Sequence, residues 1–542
     1  MAPVALELQP SYAPLALATL HLSSAAYLTW RIARGLYRSN KELGPAQGPR
    51  HRISQRQKLT TAFGSLAYLS LALAVGAGIS YLRLSYSVWA AERGVDVPSS
   101  LFGNGTESAG LHVTRWLSET PVYVDALEII AEKSRRLWWG QQLDIATVSW
   151  ITLLAIEGRR RKIHSLWAYA LLSHLVSLSF AQNLFYVAML LTPSPITVPA
   201  QESRFTKLLD RAFPPKPTNW TPNPSLLVTA LVLNYVAIFS APYTVGTSSF
   251  TTVASLAKIF SFLPLVLPTV VPESWGTVHS HPRDAYAAYT KISQVMSLAS
   301  ILLHAKTTIA GLFYNLPESY KHRHSLKIPF DTEKRSKWER SATAIEKVLG
   351  SMTDHPVVRA AGQDVLVSAL SLGLWAAVRS MDVGDMLHAA VPSYKASPGS
   401  PAEEASKTST KAEEAASSEP TSELSVSLRS RGLPAAKPAI PSITISNGLS
   451  DEGTPRRRGR PRKIKQEPEP EPEPNAEPDL EEVPGDETYQ PTAGEEATLV
   501  QSDVVPDDDF DWESASLAWG LTALGGLGAG SAAVFGAECV GR

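Results

Sequence analysis

The chain has 542 residues, a formal net charge of -1, and 44% hydrophobic against 19% charged residues. Because the apolar residues form long runs, this composition indicates a membrane protein and excludes a set of soluble domains. The near-neutral charge averages basic loops in the first part, up to about Ala390, with an acidic tail. The single cysteine, Cys539, excludes an intramolecular disulfide and any cysteine-based metal site.

The first two apolar runs, residues 12–30 and 59–82, are each long enough to cross a bilayer. Positive charges follow the first run instead of preceding it, which argues against a cleaved signal peptide. The loop between the two runs, residues 31–58, is dense in Arg and Lys. This bias predicts that the loop lies on the cytosolic side.

The next two runs, residues 137–157 and 165–192, are predicted to form a pair of crossing helices around a basic cluster, residues 159–162. We call this cluster, Arg-Arg-Arg-Lys, the basic knot. Each run has at least the roughly 20 residues needed to span the hydrocarbon core. The basic knot between them therefore predicts a cytosolic turn.

The central part of the chain predicts three more spans, at residues 226–245, 252–271 and 285–314. Prolines interrupt the first two of these, which predicts kinked or partly re-entrant helices inside the bundle. The segment 321–340 that follows is strongly basic. We therefore predict that it lies in the cytosol with the basic knot.

The last part of the chain contains a doubtful span, an insert and a closing span. The run 362–381 has only about 14 strongly apolar residues, so that a full crossing and a re-entrant segment both stay open; the charges around it favour crossing and a lumenal insert. Residues 391–511 are rich in Ser, Pro and Glu, which predicts disorder. Residues 514–537 predict a final helix rich in small residues. The predicted fold class is an all-α polytopic transmembrane bundle of eight or nine spans.

Two glycosylation sequons lie in the loops between predicted spans, at Asn104 and Asn219. Counting four crossings from the N-terminus places both asparagines on one side of the membrane and both early basic loops on the other. The sequence therefore predicts lumenal glycans at Asn104 and Asn219, in a protein of the endoplasmic reticulum.

A basic peptide in the insert, residues 455–463, resembles the AT-hook of chromatin proteins, with Arg458, Gly459, Arg460 and Pro461 as its core. The resemblance implies that these residues enter the narrow minor groove of A·T-rich DNA. The alternatives are a solvated basic run that balances the acidic tail, or a nuclear-import patch. As a hook, the peptide would belong to a nuclear-envelope protein that tethers DNA.

Four ionisable residues within or beside the spans are candidates for catalysis: Asp144, Glu157, His174 and Asp364. Such groups are costly in hydrocarbon and commonly mark functional sites. Asp144 lies within its span and is the first candidate for a general acid. Glu157 also fits an ion pair with the adjacent knot, and His174 also fits a hydrogen bond between helices.

In its layout of short-looped apolar helices with isolated intramembrane acids and aromatic residues, the chain resembles the fungal membrane-bound terpene cyclases. The resemblance is one of architecture and implies acid-initiated cyclisation of a lipophilic polyprenyl substrate, without a metal or other cofactor, with Asp144 as the acid. No signature of a soluble enzyme class is present. Two further hypotheses stay open, the DNA tether and a small-solute carrier, the latter favoured by the proline-broken spans. The partners predicted are the bilayer and a small molecule, with nucleic acid only for the tether.

Overall fold

The computed structural model describes residues 11–42, 50–95, 112–192, 220–278, 282–313, 337–392, 394 and 510–540. These residues are mostly helical, in agreement with the predicted all-α class. The chain divides into two units, and one of them, residues 400–491, lies outside the described residues. The AT-hook-like core, Arg458 to Pro461, therefore lies outside them as well.

The described helices are numbered in chain order. They are α1 (Ala13–Glu42), α2 (Arg50–Arg93), α3 (Val113–Glu119), α4 (Val122–Glu132), α5 (Ser134–Leu153, continued by a π-helical turn at Leu154–Gly158), α6 (Leu166–Leu175), α7 (Leu178–Leu191), α8 (Pro224–Ser240), α9 (Phe250–Ser261), α10 (Leu263–Val270), α11 (Pro282–Phe313), α12 (Lys337–Gly350), α13 (Pro356–Val378), α14 (Val383–Ala390) and α15 (Trp512–Val540). Short 3-10 turns lie at Ala241–Thr244, Glu273–Trp275 and Ser351–Thr353.

One small β-ribbon departs from the all-α prediction. Strands β1 (Trp220–Pro222) and β2 (Gly276–Val278) pair antiparallel, with Trp220 opposite Val278. The ribbon joins the start of α8 to the segment that leads into α11. It therefore places the beginnings of these two helices at the same end of the bundle.

Five described helices are long and apolar enough to cross a membrane, and the bent pair α9–α10 makes a sixth. The five are Ser54–Arg93, Pro224–Thr244, Tyr289–Phe313, Pro356–Val378 and Trp512–Cys539. The pair α9–α10 bends by 56° at its break, as the prolines predicted. Length and composition thus support five or six of the eight or nine predicted spans, although one of the five, Trp512–Cys539, folds back on itself at Gly526.

The predicted span 137–157 is helical but too polar to be among those five. Its helix, α5, carries Gln141, Gln142 and Asp144 close to its middle, and most of its residues are buried by other helices. A helix surrounded by protein does not need an apolar surface, because its neighbours face the lipid instead. We therefore describe α5 as the central helix of the bundle.

The doubtful span, residues 362–381, belongs to a longer helix than its apolar core indicated. Helix α13 begins at Pro356. The preceding residue, His355, is its N-cap, and the His355 Nδ1 atom accepts a hydrogen bond from Val357 N, 3.3 Å away. Its 23 residues extend about 35 Å, which is sufficient for a crossing. Proline is favourable at this first helical position because no intrahelical partner is lost.

The predicted span 165–192 does not form one crossing helix; it forms the hairpin α6–α7. Tyr169, near the start of α6, packs on Phe185, in the middle of α7, with ring centroids 5.7 Å apart. Arg161 Nη1 donates to the carbonyl oxygen of Thr192, 3.3 Å away. Both ends of the hairpin therefore lie beside the basic knot. The reversal occurs because α6 ends before Ser177, whose hydroxyl caps a new helix.

The predicted closing span, residues 514–537, also doubles back. Gly526 has φ 81° and ψ 165°, which separates arm A, residues 512–525, from arm B, residues 527–540. A Cβ placed on Gly530 would lie 3.2 Å from the carbonyl oxygen of Ala518. Twelve residues of one continuous helix would separate these positions by about 18 Å. The arms are therefore antiparallel, and α15 is a second hairpin.

Both ends of this second hairpin lie at the end of α13. Asp511 N donates to the carbonyl oxygen of Ala377 (3.3 Å), and Arg379 bonds Glu538 in two places. Arg161 is 3.9 Å from Glu538, so this end of the bundle is also the end with the basic knot. We call it the knot face and the other end the far face.

The basic segment 321–340 was predicted to share a side with the basic knot, but its residues 321–336 lie outside the described residues. Arg135 Nε, at the start of α5, donates to the carbonyl oxygen of Gly311 near the end of α11, and Ser351 Oγ donates to the carbonyl oxygen of Arg135. The helices before and after the segment therefore meet at the far face. Its charge does not oppose this arrangement, because the far face also carries Arg135 itself.

The residues next to the two sequons lie on opposite faces. Asn104 and Asn219 lie outside the described residues. The loop with Asn104 follows α2, whose Tyr81 packs on His355 at the far-face start of α13. Asn219 precedes β1, and its ribbon partner leads to α11, whose Ser293 approaches Gly536 near the knot face.

We therefore expect a glycan on only one of the two asparagines, because oligosaccharide is added on the lumenal side alone. Asn104→Gln and Asn219→Gln are made singly, and the gel mobility of each variant is compared before and after glycosidase treatment. One substitution should remove the mobility shift and the other should leave it unchanged. Glycans on both asparagines would contradict the two-hairpin path.

Candidate intramembrane polar site

An ion pair lies within the predicted membrane region of the bundle. The ammonium group of Lys258, on α9, contacts the carboxylate of Asp144, on α5. Both side chains are partly exposed, 43% for Lys258 and 33% for Asp144, and both line a cavity. The pairing compensates two charges that would each be costly in a membrane.

The cavity has a volume of about 130 Å³ and lies between α4, α5, α8 and α9. Most of its lining is apolar. The residues are Leu127, Ile130, Ala131, Leu137, Gly140, Gln141, Leu143, Asp144, Ile238, Ala241, Pro242, Phe250, Ala254, Ala257 and Lys258. Small-molecule sites usually measure roughly 300–1,000 Å³, so this cavity fits a solute of a few heavy atoms.

His174 lies close to the same lysine. Its Nε2 is 3.0 Å from Ser261 Oγ, and Ser261 follows Lys258 by one helical turn. The imidazole also packs on Phe262, with ring centroids 5.0 Å apart. The hydrogen bond between helices that the sequence left open for His174 is therefore present.

Asp364 caps the inner end of α7. Its Oδ2 accepts from Leu178 N (2.9 Å) and its Oδ1 accepts from Ser179 N (2.7 Å). A carboxylate at a helix N-terminus satisfies free N–H groups and interacts favourably with the helix dipole. Asp364 thus holds the tip of the α6–α7 hairpin against α13.

The structure places three of the four sequence candidates in contact with α9 or at the tip of the α6–α7 hairpin beside it. Lys258, on α9, contacts Asp144. Ser261 of the same helix bonds His174, and Asp364 caps the start of α7, which comes just after His174 in the chain. We call Asp144, His174, Lys258 and Asp364 the polar centre. The sequence reasoning missed Lys258, although a single lysine inside the apolar run 252–271 was a readable signal.

Glu157, the fourth candidate, lies elsewhere, at the knot face. Its Oε2 is 2.9 Å from Arg160 and 3.3 Å from Arg161. Glu538 joins the group through Arg379, with Oε2 at 2.8 Å from Nε and Oε1 at 2.9 Å from Nη2. We call these five residues the charge cluster. It ties the end of α5 to α13 and to arm B.

Among the described residues, no group of three His, Cys, Asp or Glu side chains could hold a metal ion. No protein family, curated protein or solved structure matches the chain.

Proposed function

We propose that the protein is a multi-pass membrane carrier that binds a small charged or zwitterionic solute at the polar centre. The observation that supports this proposal is the ion pair of Lys258, near the break of the α9–α10 pair, with Asp144. Ser261 of the same helix bonds His174, and Asp364 caps the start of α7, four residues after His174. Carriers characteristically place their substrate sites where helices are interrupted inside the membrane. Non-helical backbone at that depth is tolerated where protein or a cavity surrounds it.

The size and charge of the site favour a carrier over a polyprenyl cyclase. A cyclase needs an enclosed apolar chamber for a long substrate and an acid that can give up a proton. The cavity at Asp144 has about 130 Å³, and the carboxylate is already paired with Lys258. Both features fit the reversible binding of a small polar solute better than acid-initiated cyclisation.

The opposite charges at the cavity indicate the class of solute. A solute carboxylate would replace Asp144 as the partner of Lys258, and a solute ammonium group would replace Lys258 as the partner of Asp144. Apolar side chains line the rest of the cavity. A small amino acid or a similar zwitterion matches this combination.

Replacing Asp144 by asparagine should weaken solute binding by about 10- to 100-fold, since hydrogen bonds to charged groups contribute roughly 1.5–3 kcal/mol. Purified protein would be screened for thermal stabilisation by small amino acids, dicarboxylates and amines, and the best solute tested for uptake into proteoliposomes. Glu513→Gln, at the exposed start of α15, is the control and should bind like the wild type. Equal binding by Asp144→Asn would refute the site.

The same variant also tests the cyclase hypothesis. Membranes that contain the wild type would be incubated with a polyprenyl substrate, and the products of wild type and Asp144→Asn compared. Cyclic products that disappear with Asp144→Asn, together with no stabilisation by any polar solute, would replace the carrier by the enzyme. We expect no cyclic product from the wild type or from Asp144→Asn.

The DNA tether remains a second proposal because of where the insert begins and ends. Asp511, the last residue of the insert, bonds to Ala377 at the knot face. If Asn104 is the glycosylated asparagine, the knot face is cytosolic, and in a nuclear envelope the hook peptide would face chromatin. A glycan on Asn219 instead would place the insert in the lumen and exclude the tether.

A further inference from the structure

One buried face of α11 is lined by hydroxyl groups and an imidazole. The residues recur at intervals of three and four and are all at most 7% exposed: Thr290, Ser293, Ser297, Ser300, His304 and Thr307. We call them the hydroxyl stripe. The opposite side of α11 is apolar and exposed, as Leu298 and Leu302 show. Helix α11 therefore turns its polar face towards the interior of the bundle.

Arm B of α15 fills the space in front of the stripe. A Cβ on Gly526 would lie 2.7 Å from His304 Nδ1, and a Cβ on Gly528 would lie 2.7 Å from Ser300 Oγ. A Cβ on Gly536 would lie 2.8 Å from Ser293 Oγ. Only glycine permits this approach at the three positions, so arm B is shaped to fit against the stripe.

The polar atoms around arm B are incompletely satisfied by this packing. Among the described residues, Ser297 Oγ, His304 Nδ1 and Gln142 Nε2 have no hydrogen-bond partner. All three residues are more than nine-tenths buried. Buried polar atoms without partners are unfavourable, which indicates a second state in which water reaches them.

The end of arm B at the knot face is held by the charge cluster. Arg379 binds both carboxylate oxygens of Glu538, and Arg161 stands 3.9 Å away between Glu538 and Glu157. Arg160, whose side chain is 26% exposed, connects the cluster to the surface. Glu538 is thus the point at which arm B is fastened to α13 and to the end of α5.

We propose that arm B is a movable plug, which the charge cluster fastens in the closed state. When the bond between Arg379 and Glu538 opens, arm B withdraws from the hydroxyl stripe, and water enters along it from the knot face to the level of Gln142. Gln142 lies two residues from Asp144, so the opened path reaches the depth of the polar centre. This inference rests on the proposed carrier function and supplies its gate.

Cysteine labelling tests the plug, because the chain has one native cysteine to remove. In a Cys539→Ala background, Ser297→Cys is treated with a charged thiol reagent, with and without Glu538→Gln. Glutamine removes the negative charge of Glu538, to which Arg379 and Arg161 are attracted, but it keeps a hydrogen-bonding side chain. We expect at least tenfold faster labelling with Glu538→Gln. Glu513→Cys, at the exposed start of arm A, is the control and should keep one rate in both backgrounds.

Equal labelling rates at Ser297→Cys, whether slow or fast in both backgrounds, would overturn the plug. Slow rates would show that arm B stays in place without its fastening, and fast rates would show that the stripe is always hydrated. If Glu538→Gln does not fold, Arg379→Lys replaces it, since lysine keeps the charge but lacks the planar group that bonds both carboxylate oxygens of Glu538. Labelling does not depend on solute binding, so it can fail or succeed independently of the Asp144 experiment.

Discussion

Gly526→Ala is expected to destabilise the folded protein by roughly 2–5 kcal/mol, one of the largest effects of any single methyl group in this chain. The φ of 81° and ψ of 165° at Gly526 belong to a region that essentially only glycine occupies. The added Cβ would also lie 2.7 Å from His304 Nδ1. The measurement is the thermal unfolding of purified protein in detergent, with the yield of monodisperse protein as a second readout.

Gly520→Ala is the matched control in the same helix. Gly520 lies in arm A, and a Cβ there would meet nothing within 4 Å. Alanine in an ordinary helical position is favoured over glycine by about 1 kcal/mol, so this variant should be neutral or slightly more stable. If α15 were one straight crossing helix, both substitutions would behave like Gly520→Ala. Equal melting temperatures for the two variants would therefore reject the hairpin.

The sequence predicted where apolar helices occur but not the direction in which each one runs. Residues 165–192 were interpreted as one span because their total hydropathy and length suffice for a crossing. The reversal depends on the cap at Ser177 and on the contact of Tyr169 with Phe185. The cap was readable as a serine inside an apolar run. The contact was not, because it joins residues from two separate helices.

The missed reversal explains why the basic loops and the two sequons predict the same topology. Counting 165–192 as a crossing moved Asn219 to the side of Asn104 and kept the segment 321–340 with the basic knot. In the structure the hairpin returns to the knot face, and the faces are exchanged from there to the end of α13, where the second hairpin, α15, is a further reversal. One missed reversal is enough, because topology depends on whether the number of crossings is even or odd.

The residues of the polar centre were partly predictable for a physical reason. An ionisable group inside an apolar run is costly, so Asp144, His174 and Asp364 were visible without a structure. Their convergence depends on the hairpin tip, on Asp364 capping α7, and on Lys258 reaching across from α9. Contacts of this kind are set by helix packing and leave no periodicity in the sequence.

The ion pair of Glu157 with the basic knot was predicted and is present, but the other two members of the charge cluster, Arg379 and Glu538, were harder to predict. Arg379 and Glu538 lie at the ends of their apolar runs, where charged residues are ordinary and are usually solvated. In the structure the side chains of Arg379 and Glu538 are 4% and 0% exposed. The difference arises because α13, α15 and the end of α5 meet at one point, which buries what each helix alone would leave at the interface.

Arg379→Leu is expected to destabilise the protein by about 3–5 kcal/mol, because it leaves the Glu538 carboxylate buried without its main partner. The other cation near Glu538 is Arg161, at 3.9 Å. The change would be measured as a loss of melting temperature in detergent and a loss of folded protein in membranes. Arg379→Lys should recover part of the stability, since it restores the charge without the two parallel hydrogen bonds.

The matched control is Arg93→Leu at the far face. Arg93 also pairs with a carboxylate, Glu119, at 3.0 Å, but its side chain is 51% exposed. Hydrogen bonds from Trp89 and Arg115 to Glu119 lower the pKa of that carboxyl, so it stays charged without Arg93. An exposed pair contributes about 0–1 kcal/mol, and Arg93→Leu should change the melting temperature little.

The double variant Arg379→Leu with Glu538→Leu decides whether the effect comes from an unpaired charge. Removing both partners leaves neither a buried carboxylate nor a buried guanidinium at this position, and Arg161 keeps Glu157 as its partner at 3.3 Å. Buried ion pairs replaced by apolar residues commonly lose little stability, so the double variant should melt well above Arg379→Leu alone. A double variant as unstable as the single one would assign the loss to packing and not to charge. The double variant also bears on the proposed plug. Combined with Ser297→Cys, it should react rapidly with the thiol reagent, because arm B is then folded but no longer held by the bond between Arg379 and Glu538.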